Sequence, residues 1–418
     1  MQIYSIRKHI NMPGYKIKKV ISFTDEAIHI QVEPYKRNKG VCSGCGQKHD
    51  KVHSIKGMVA EDLRLGKQRV FLYIPKRRYV CEETGRICTE RISWIELGAR
   101  VTKELAKRIY ELTAITSNQE AGWYMGMNDE KVYRVDKAVL EKLFRERLAV
   151  TPRSKNISVD EVAWLKWHRY VTNVVDTDEK VVTWNEKGRK AKVLDKYYDS
   201  IGAEGCSSIE TASMDGAKTY ISSTEKKAKN AMIVLDKFHI IKKTNETVDK
   251  VRREELRKAR ENKDEQLIML ANCKQRFILL KKNKSLTKRQ SVILSTLCKI
   301  NQPIYRGMLL KESFLQTYEC ENIEQAREHL YEWIDQALFS GLEPFFELAC
   351  SVLNKVEYIL NWFKKKISSA ISEGFNNKIK RLKRIAYGYR DIEYFKLKIH
   401  QHCGYLNPRR FNLNLQPK

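Results

Sequence analysis

Apolar and polar residues alternate near the start of the chain, the period of a half-buried strand. Residues 27–32 (Ala-Ile-His-Ile-Gln-Val) and 69–74 (Arg-Val-Phe-Leu-Tyr-Ile) read as strands. Residues 20–23 (Val-Ile-Ser-Phe) read as another, joined to 27–32 by a turn at 24–26. From 102 to about 148 the pattern is helical, and Thr151-Pro152-Arg153-Ser154 has the composition of a linker. Strand-like stretches follow at 157–163, 170–176 and 180–185, then a helical one at 191–201, then strands at 209–214 and 231–235. The order β-β-β-α-β-α-β predicts a mixed α/β sheet with flanking helices. Beyond residue 236 the chain reads almost wholly helical, with no internal repeat or low-complexity tract.

Length and charge narrow the class. The 418 residues suffice for two or three domains with sizeable cores. Lys and Arg number 79 against 51 Asp and Glu, a net charge of +28. Any one basic run, such as 76–78, 187–192, 281–284, 364–366 or 380–384, is explained by a solvated face. The whole excess points to a polyanion, and double-stranded DNA is the natural partner, because each neutralised phosphate releases counterions. The first seven residues lack the apolar core of a signal peptide, and no run of about 18 apolar residues offers a membrane span. A cytoplasmic protein is expected, associated with the nucleoid when on DNA, with reduced cysteines.

Six of the ten cysteines stand singly, at 206, 273, 298, 320, 350 and 403. The other four are paired. Cys42-Ser43-Gly44-Cys45 is a compact knuckle, while Cys81 and Cys88 form a looser pair. Four thiolates suit one tetrahedral structural zinc ion, with His49, His53 or a widened loop as alternatives in the second pair.

Three acids stand out by position. Asp160 lies in a strand whose Ile157 and Val159 face the other way. Asp215 ends a second strand and is followed by Gly216. Glu373 lies on an amphipathic helix: Phe375, Ile379, Leu382 and Ala386 share its apolar face, and Glu373, Asn377, Lys380 and Arg384 its polar one. Such a helix offers an acid for metal beside bases for phosphate. Three acids near one point can hold two hard cations, Mg2+ or Mn2+, as phosphoryl transfer requires. Singly, a surface or capping role is the default for each acid, and spacing alone does not lift the three above it. Asp236 can cap the helix that His239 joins, and His239 reads equally as a core residue.

Ser117-Asn118-Gln119-Glu120 is a capping box. Gly122, Gly126 and Val132 then follow with the spacing of a helix-turn-helix, and Asn128 can cap the second helix. Lys131, Tyr133 and Arg134 would face DNA. A plain helical hairpin is the alternative.

Several segments occur in a telling order: Asp160 with its following strands, Ser213-Met214-Asp215, Asp236-Lys237-Phe238-His239, the stretch from Glu373 through Gly374-Phe375-Asn376-Asn377 to Lys380, and Arg384-Ile385-Ala386-Tyr387-Gly388-Tyr389-Arg390. Together they resemble the ISL-three family of bacterial insertion-sequence transposases over nearly the whole chain. The resemblance implies a DDE-type enzyme with a ribonuclease H-like core. Asp160 would lie on its first strand, Asp215 after its fourth and Glu373 on a late helix, with a large helical insertion between the last two. It supports the zinc site, and the Asp-x-x-His pattern resembles one found near DDE active sites.

The expected parts are a β-rich zinc-binding module at 1–98, a helix-turn-helix at 99–150, a first core part at 151–254, a helical insertion at 255–355 and a C-terminal core part at 356–418. Binding the element's terminal inverted repeats, cutting there and joining to target DNA would be the function. A homodimer would bring two ends together. A DNA-binding regulator with the same modules, or a metal-dependent nuclease without strand transfer, are the rivals.

Overall fold

A computed structural model describes residues 8–165, 169–272, 276–281, 285–365 and 370–412. The first seven residues, Cys273 and parts of the 281–284 and 364–366 basic runs lie outside the described residues. Two compact units emerge, 1–149 with 381–418, and 150–380.

The first unit opens with seven strands: β1 (Tyr15–Phe23), β2 (Ala27–Pro34), β3 (Gly40–Cys42), β4 (Lys48–His49), β5 (Ser54–Leu65), β6 (Gln68–Val80) and β7 (Ile87–Arg91). Their order is β1-β2-β6-β7-β3-β4, with β5 also paired to β6. The alternation seen in the sequence is the burial pattern: Ile28, Ile30 and Val32 on β2 meet Val70, Leu72 and Ile74 on β6 in one core. Helices α1 (Lys103–Thr113), α2 (Asn118–Met125) and α3 (Asp129–Arg147) follow. The capping box forms between Ser117 and Glu120, and the Asn128 side chain caps α3. Val132 packs into a small core with Leu105, Ile109, Ala121 and Met125.

The helix Ile392–Cys403 belongs to this unit, and its polar contacts explain why. The fully buried Lys398 ammonium lies 2.7 Å from the Thr113 carbonyl and 3.2 Å from the fully buried Asp136 carboxylate. Tyr394 donates to Asp136 at 2.6 Å, and Gln401 to the Tyr110 carbonyl at 2.8 Å. The segment 356–418 is thus divided after residue 380, where the sequence pattern suggested one C-terminal core part. Removing one partner of a buried pair strands the other charge. A Lys398→Met protein should lose ~3–5 kcal/mol of stability in urea unfolding, with much of it restored when Asp136→Leu is added. A loss under about 1 kcal/mol would show that the pair does not hold the helix in place.

The second unit contains β8 (Asn156–Leu165), β9 (Arg169–Asp176), β10 (Val181–Lys187), β11 (Thr211–Met214) and β12 (Met232–Leu235), ordered β10-β9-β8-β11-β12. The pairs β10·β9 and β9·β8 are antiparallel, whereas β8, β11 and β12 run parallel. Helices α4 (Ala191–Ser207), α5 (Lys218–Lys227) and α6 (Lys237–Glu261) alternate with or follow the last strands. A helical region comes next: α7 (Glu265–Leu270), α8 (Arg276–Leu280), α9 (Lys288–Ile300), α10 (Gln302–Thr317), α11 (Ile323–Leu338), α12 (Glu343–Leu353) and α13 (Val356–Lys365). Helix α14 (Ala370–Ile385) closes the unit and runs past its boundary at 380. Among the described residues no helix is long and apolar enough to cross a membrane.

Candidate active site and metal centre

Strand pairing brings two of the three acids side by side. Thr211 to Met214 on β11 pair in parallel with Asn156 to Val159 on β8, so the next residue on each strand is an aspartate. Asp160 accepts hydrogen bonds through both oxygens, from the Glu161 backbone N–H at 2.7 Å and from the Asn376 amide. Asp215 accepts from the Ala217 N–H at 2.9 Å, in a turn that needs Gly216 at φ +81°. Burial pushes the Asp160 carboxyl above its usual range, and the Asp215 charge adds to this, while His239 and the hydrogen bonds pull back.

His239 joins them. Asp236 caps α6 through the Phe238 N–H and places its second oxygen 2.6 Å from His239 Nδ1. That bond raises the imidazole pKa, and Asp160 and Asp215 reinforce it across the site. The turn is held from the helical region. The Lys237 ammonium lies 4.6 Å from the Tyr318 ring centre and 4.4 Å from that of Trp362. Lys355 donates to the Gly216 carbonyl at 2.9 Å, and Asn361 to that of Ile233 at 2.9 Å. The helices therefore buttress the loops after Asp215 and β12.

Glu373 is placed differently. It lies on α14 between two residues bonded to β8, Ser372 and Asn376, but its own side chain is exposed and makes no hydrogen bond or ion pair among the described residues. Nor do the ligand atoms of Asp160, Asp215 and Glu373 all lie within 4.8 Å of one another. Two neighbouring carboxylates and a third on an adjacent helix thus make an open, hard-oxygen donor set. Its oxygen donors are of the kind that hard divalent cations take. Lys380 and Arg384 are exposed on the same helix.

Some polar groups here escape a reading of the sequence alone. Ser372 and Asn376 interrupt the apolar face of α14 yet point inward. The Glu161 Oε2 is buried without a hydrogen-bond partner. Burial and the Asp215 charge raise its pKa.

A second cluster lies in the first unit. The sulfurs of Cys42, Cys45 and Cys81 all fall within 4.8 Å of one another. Cys88 borders the same knuckle: a Cβ on Gly44 would meet its sulfur at 2.8 Å, that of Cys81 at 3.3 Å and that of Cys42 at 3.6 Å. The thiols act on one another: that of Cys81 is pulled down to about 6, chiefly by the Thr84 side chain and backbone, whereas that of Cys45 is pushed up to about 11 against a hydrogen bond from the Gln47 backbone, and burial raises that of Cys88. His49 Nε2 approaches Cys45 at 3.3 Å, while the exposed His53 bonds Ser54. The sulfur-rich donor set fits a tetrahedral zinc ion.

Of the three α3 residues expected to face outward, Arg134 alone does so fully. It is exposed and 3.9 Å from Glu130. The Lys131 ammonium is instead 2.6 Å from the buried Glu61, and the Tyr133 hydroxyl donates to Asp391 at 2.8 Å. Both are engaged in holding their own unit together.

Two family models match the chain. One, of the ISL3 type and described as a transposase, covers residues 157–399. The other, a zinc-finger of transposases IS204/IS1001/IS1096/IS1165, covers residues 38–88, a span that holds Cys42, Cys45, Cys81 and Cys88. The transposase for insertion sequence element IS1001 from Bordetella parapertussis is 30% identical over 360 residues, 86% of this chain and 87% of that protein. The transposase for element IS1557 from Mycobacterium tuberculosis is 29% identical over 256 residues, 56% of this chain and 57% of that one.

Proposed function

The chain belongs to the ISL3 family of insertion-sequence transposases, and from that membership we propose a DDE enzyme that binds its element's terminal inverted repeats, cuts there and joins the ends to target DNA. One observation carries the chemical part: Asp160 and Asp215 follow directly on the paired stretches of two adjacent parallel strands, with His239 near enough for both charges to raise its pKa. The strand order, with the first strand central and flanked by antiparallel and parallel partners, supports a ribonuclease H-like core.

Asp160, Asp215 and Glu373 would hold two Mg2+ or Mn2+ ions, which supply charge stabilisation for in-line displacement at phosphorus. In hydrolysis a water oxygen bonds to phosphorus, and the DNA 3′-oxygen leaves as a hydroxyl. In joining, that 3′-hydroxyl attacks a target phosphodiester and displaces another 3′-oxygen. His239, fixed through Nδ1 by Asp236, presents Nε2 to a phosphate oxygen. Lys380 and Arg384, exposed on α14, would meet the DNA backbone. Cys42, Cys45, Cys81 and Cys88 would bind one zinc ion, with His49 the alternative to Cys88. The α2–turn–α3 segment would act as the helix-turn-helix, with Arg134 as its outward base, and two copies would pair the element's ends.

Separate binding and cleavage assays test these roles. His239→Asn should bind end DNA normally and cleave it about 100–1000-fold more slowly. Full activity with a lowered melting temperature would make His239 a packing residue. Arg134→Ala should weaken end binding by ~1–3 kcal/mol if it contacts a base, or show a salt dependence shallower by about one charge if it contacts phosphate. Unchanged affinity and salt dependence would remove Arg134 from the interface.

A further inference from the structure

We propose that Asn376, with Ser372, is a positioning device that fixes the register between the helix carrying Glu373 and the strand carrying Asp160. The inference rests on the three-carboxylate reading above. The Ser372 hydroxyl donates to Ser158 Oγ at 2.5 Å in a buried bond, and the Asn376 amide donates to Asp160 Oδ2. On α14 these two residues are four apart, ~6 Å along the axis. On β8 their partners are two apart, ~6.6 Å along the strand. The matched spacings make two rungs of one ladder, so a slip of α14 by one residue breaks both together.

Glu373 lies between the rungs in sequence, turned ~100° from Ser372 toward solvent. The ladder therefore sets its height beside Asp160 without burying it. An amide suits the lower rung, because it donates to a carboxylate without neutralising it. Asp160 then has one oxygen on Asn376 and the other on the Glu161 N–H, and each oxygen keeps a lone pair for a cation. Partners of this kind typically change metal affinity or activity by ~10–100-fold when removed.

The test compares Asn376→Ala, Ser372→Ala and Asp160→Asn in the full chain. Three quantities are read: end-DNA binding, cleavage as a function of Mn2+, and Mn2+ binding to the protein alone by the loss of the free-ion paramagnetic resonance signal. Asn376→Ala is expected to bind DNA normally and to bind Mn2+ ~10–100-fold more weakly. Its cleavage should be recovered at high Mn2+, which a merely structural loss would not be. Ser372→Ala should shift in the same direction by less. If Asn376→Ala does not fold, Asn376→Gln, which keeps the amide one methylene farther out, reads the same shift. Wild-type Mn2+ binding and metal dependence in the Asn376 variant, beside loss of both in Asp160→Asn, would overturn this inference alone. Undiminished Mn2+ binding and cleavage in Asp160→Asn would overturn the three-carboxylate reading and this inference with it.

Discussion

An Asp215→Asn protein is expected to bind the element's ends as tightly as the unaltered chain and to cleave them at least about a thousandfold more slowly, ~4 kcal/mol at the barrier. Asparagine is nearly isosteric, and its carbonyl oxygen can still accept from the Ala217 N–H, so the turn at Gly216 keeps its shape. What disappears is the negative charge beside Asp160. That charge is what a divalent ion would be held by; the Asp160 carboxyl is pushed up chiefly by burial, with a smaller contribution from the Asp215 charge that the asparagine removes. Loss of cleavage with intact binding separates chemistry from recognition. Cleavage within tenfold of the unaltered chain would remove Asp215 from the site.

Removing zinc should have the other large effect, in the first unit. A structural zinc site contributes ~10–16 kcal/mol of folding energy, as much as the whole stability of a typical domain. The knuckle ties β3 and β4 to the segment between β6 and β7, short strands with little core of their own. Cys42→Ser, or treatment with a strong chelator, should therefore unfold the knuckle formed by β3, β4 and residues 81–88 and abolish specific end binding. Elemental analysis should find one zinc per unaltered chain and none in the variant. A metal-free protein with unchanged melting and binding would refute a structural zinc.

The sheet and the helix with Glu373 were legible in the sequence, because each buries one face and a regular period betrays it. Ile28, Ile30 and Val32 show this on β2, and Ile379 and Leu382 on α14. Strand β5 was not legible. It carries Lys56, Glu61, Asp62 and Arg64 among its apolar residues and takes its ladder bonds from β6. The inward turn of Lys131 and Tyr133 was hidden for another reason: their partners, Glu61 and Asp391, lie 70 and 258 residues away. Local spacing marks which face of α3 is polar, and it does not tell which polar residues find a carboxylate on another element. Ser372 and Asn376 were missed on the same ground, as polar residues on a buried side look like noise in an apolar stripe until the strand opposite is known.

Incubation with DNA carrying the element's paired ends, a target plasmid and Mg2+ is the most direct test of a three-carboxylate transposase. Strand-specific cuts at the ends, exposing 3′-hydroxyls, and products in which those ends are joined to the plasmid are expected, both abolished by chelation of Mg2+. Tight, specific end binding with the DNA left uncut in Mg2+ and Mn2+ would contradict the account and mark the chain as a DNA-binding regulator; cuts without joined products would leave it a nuclease.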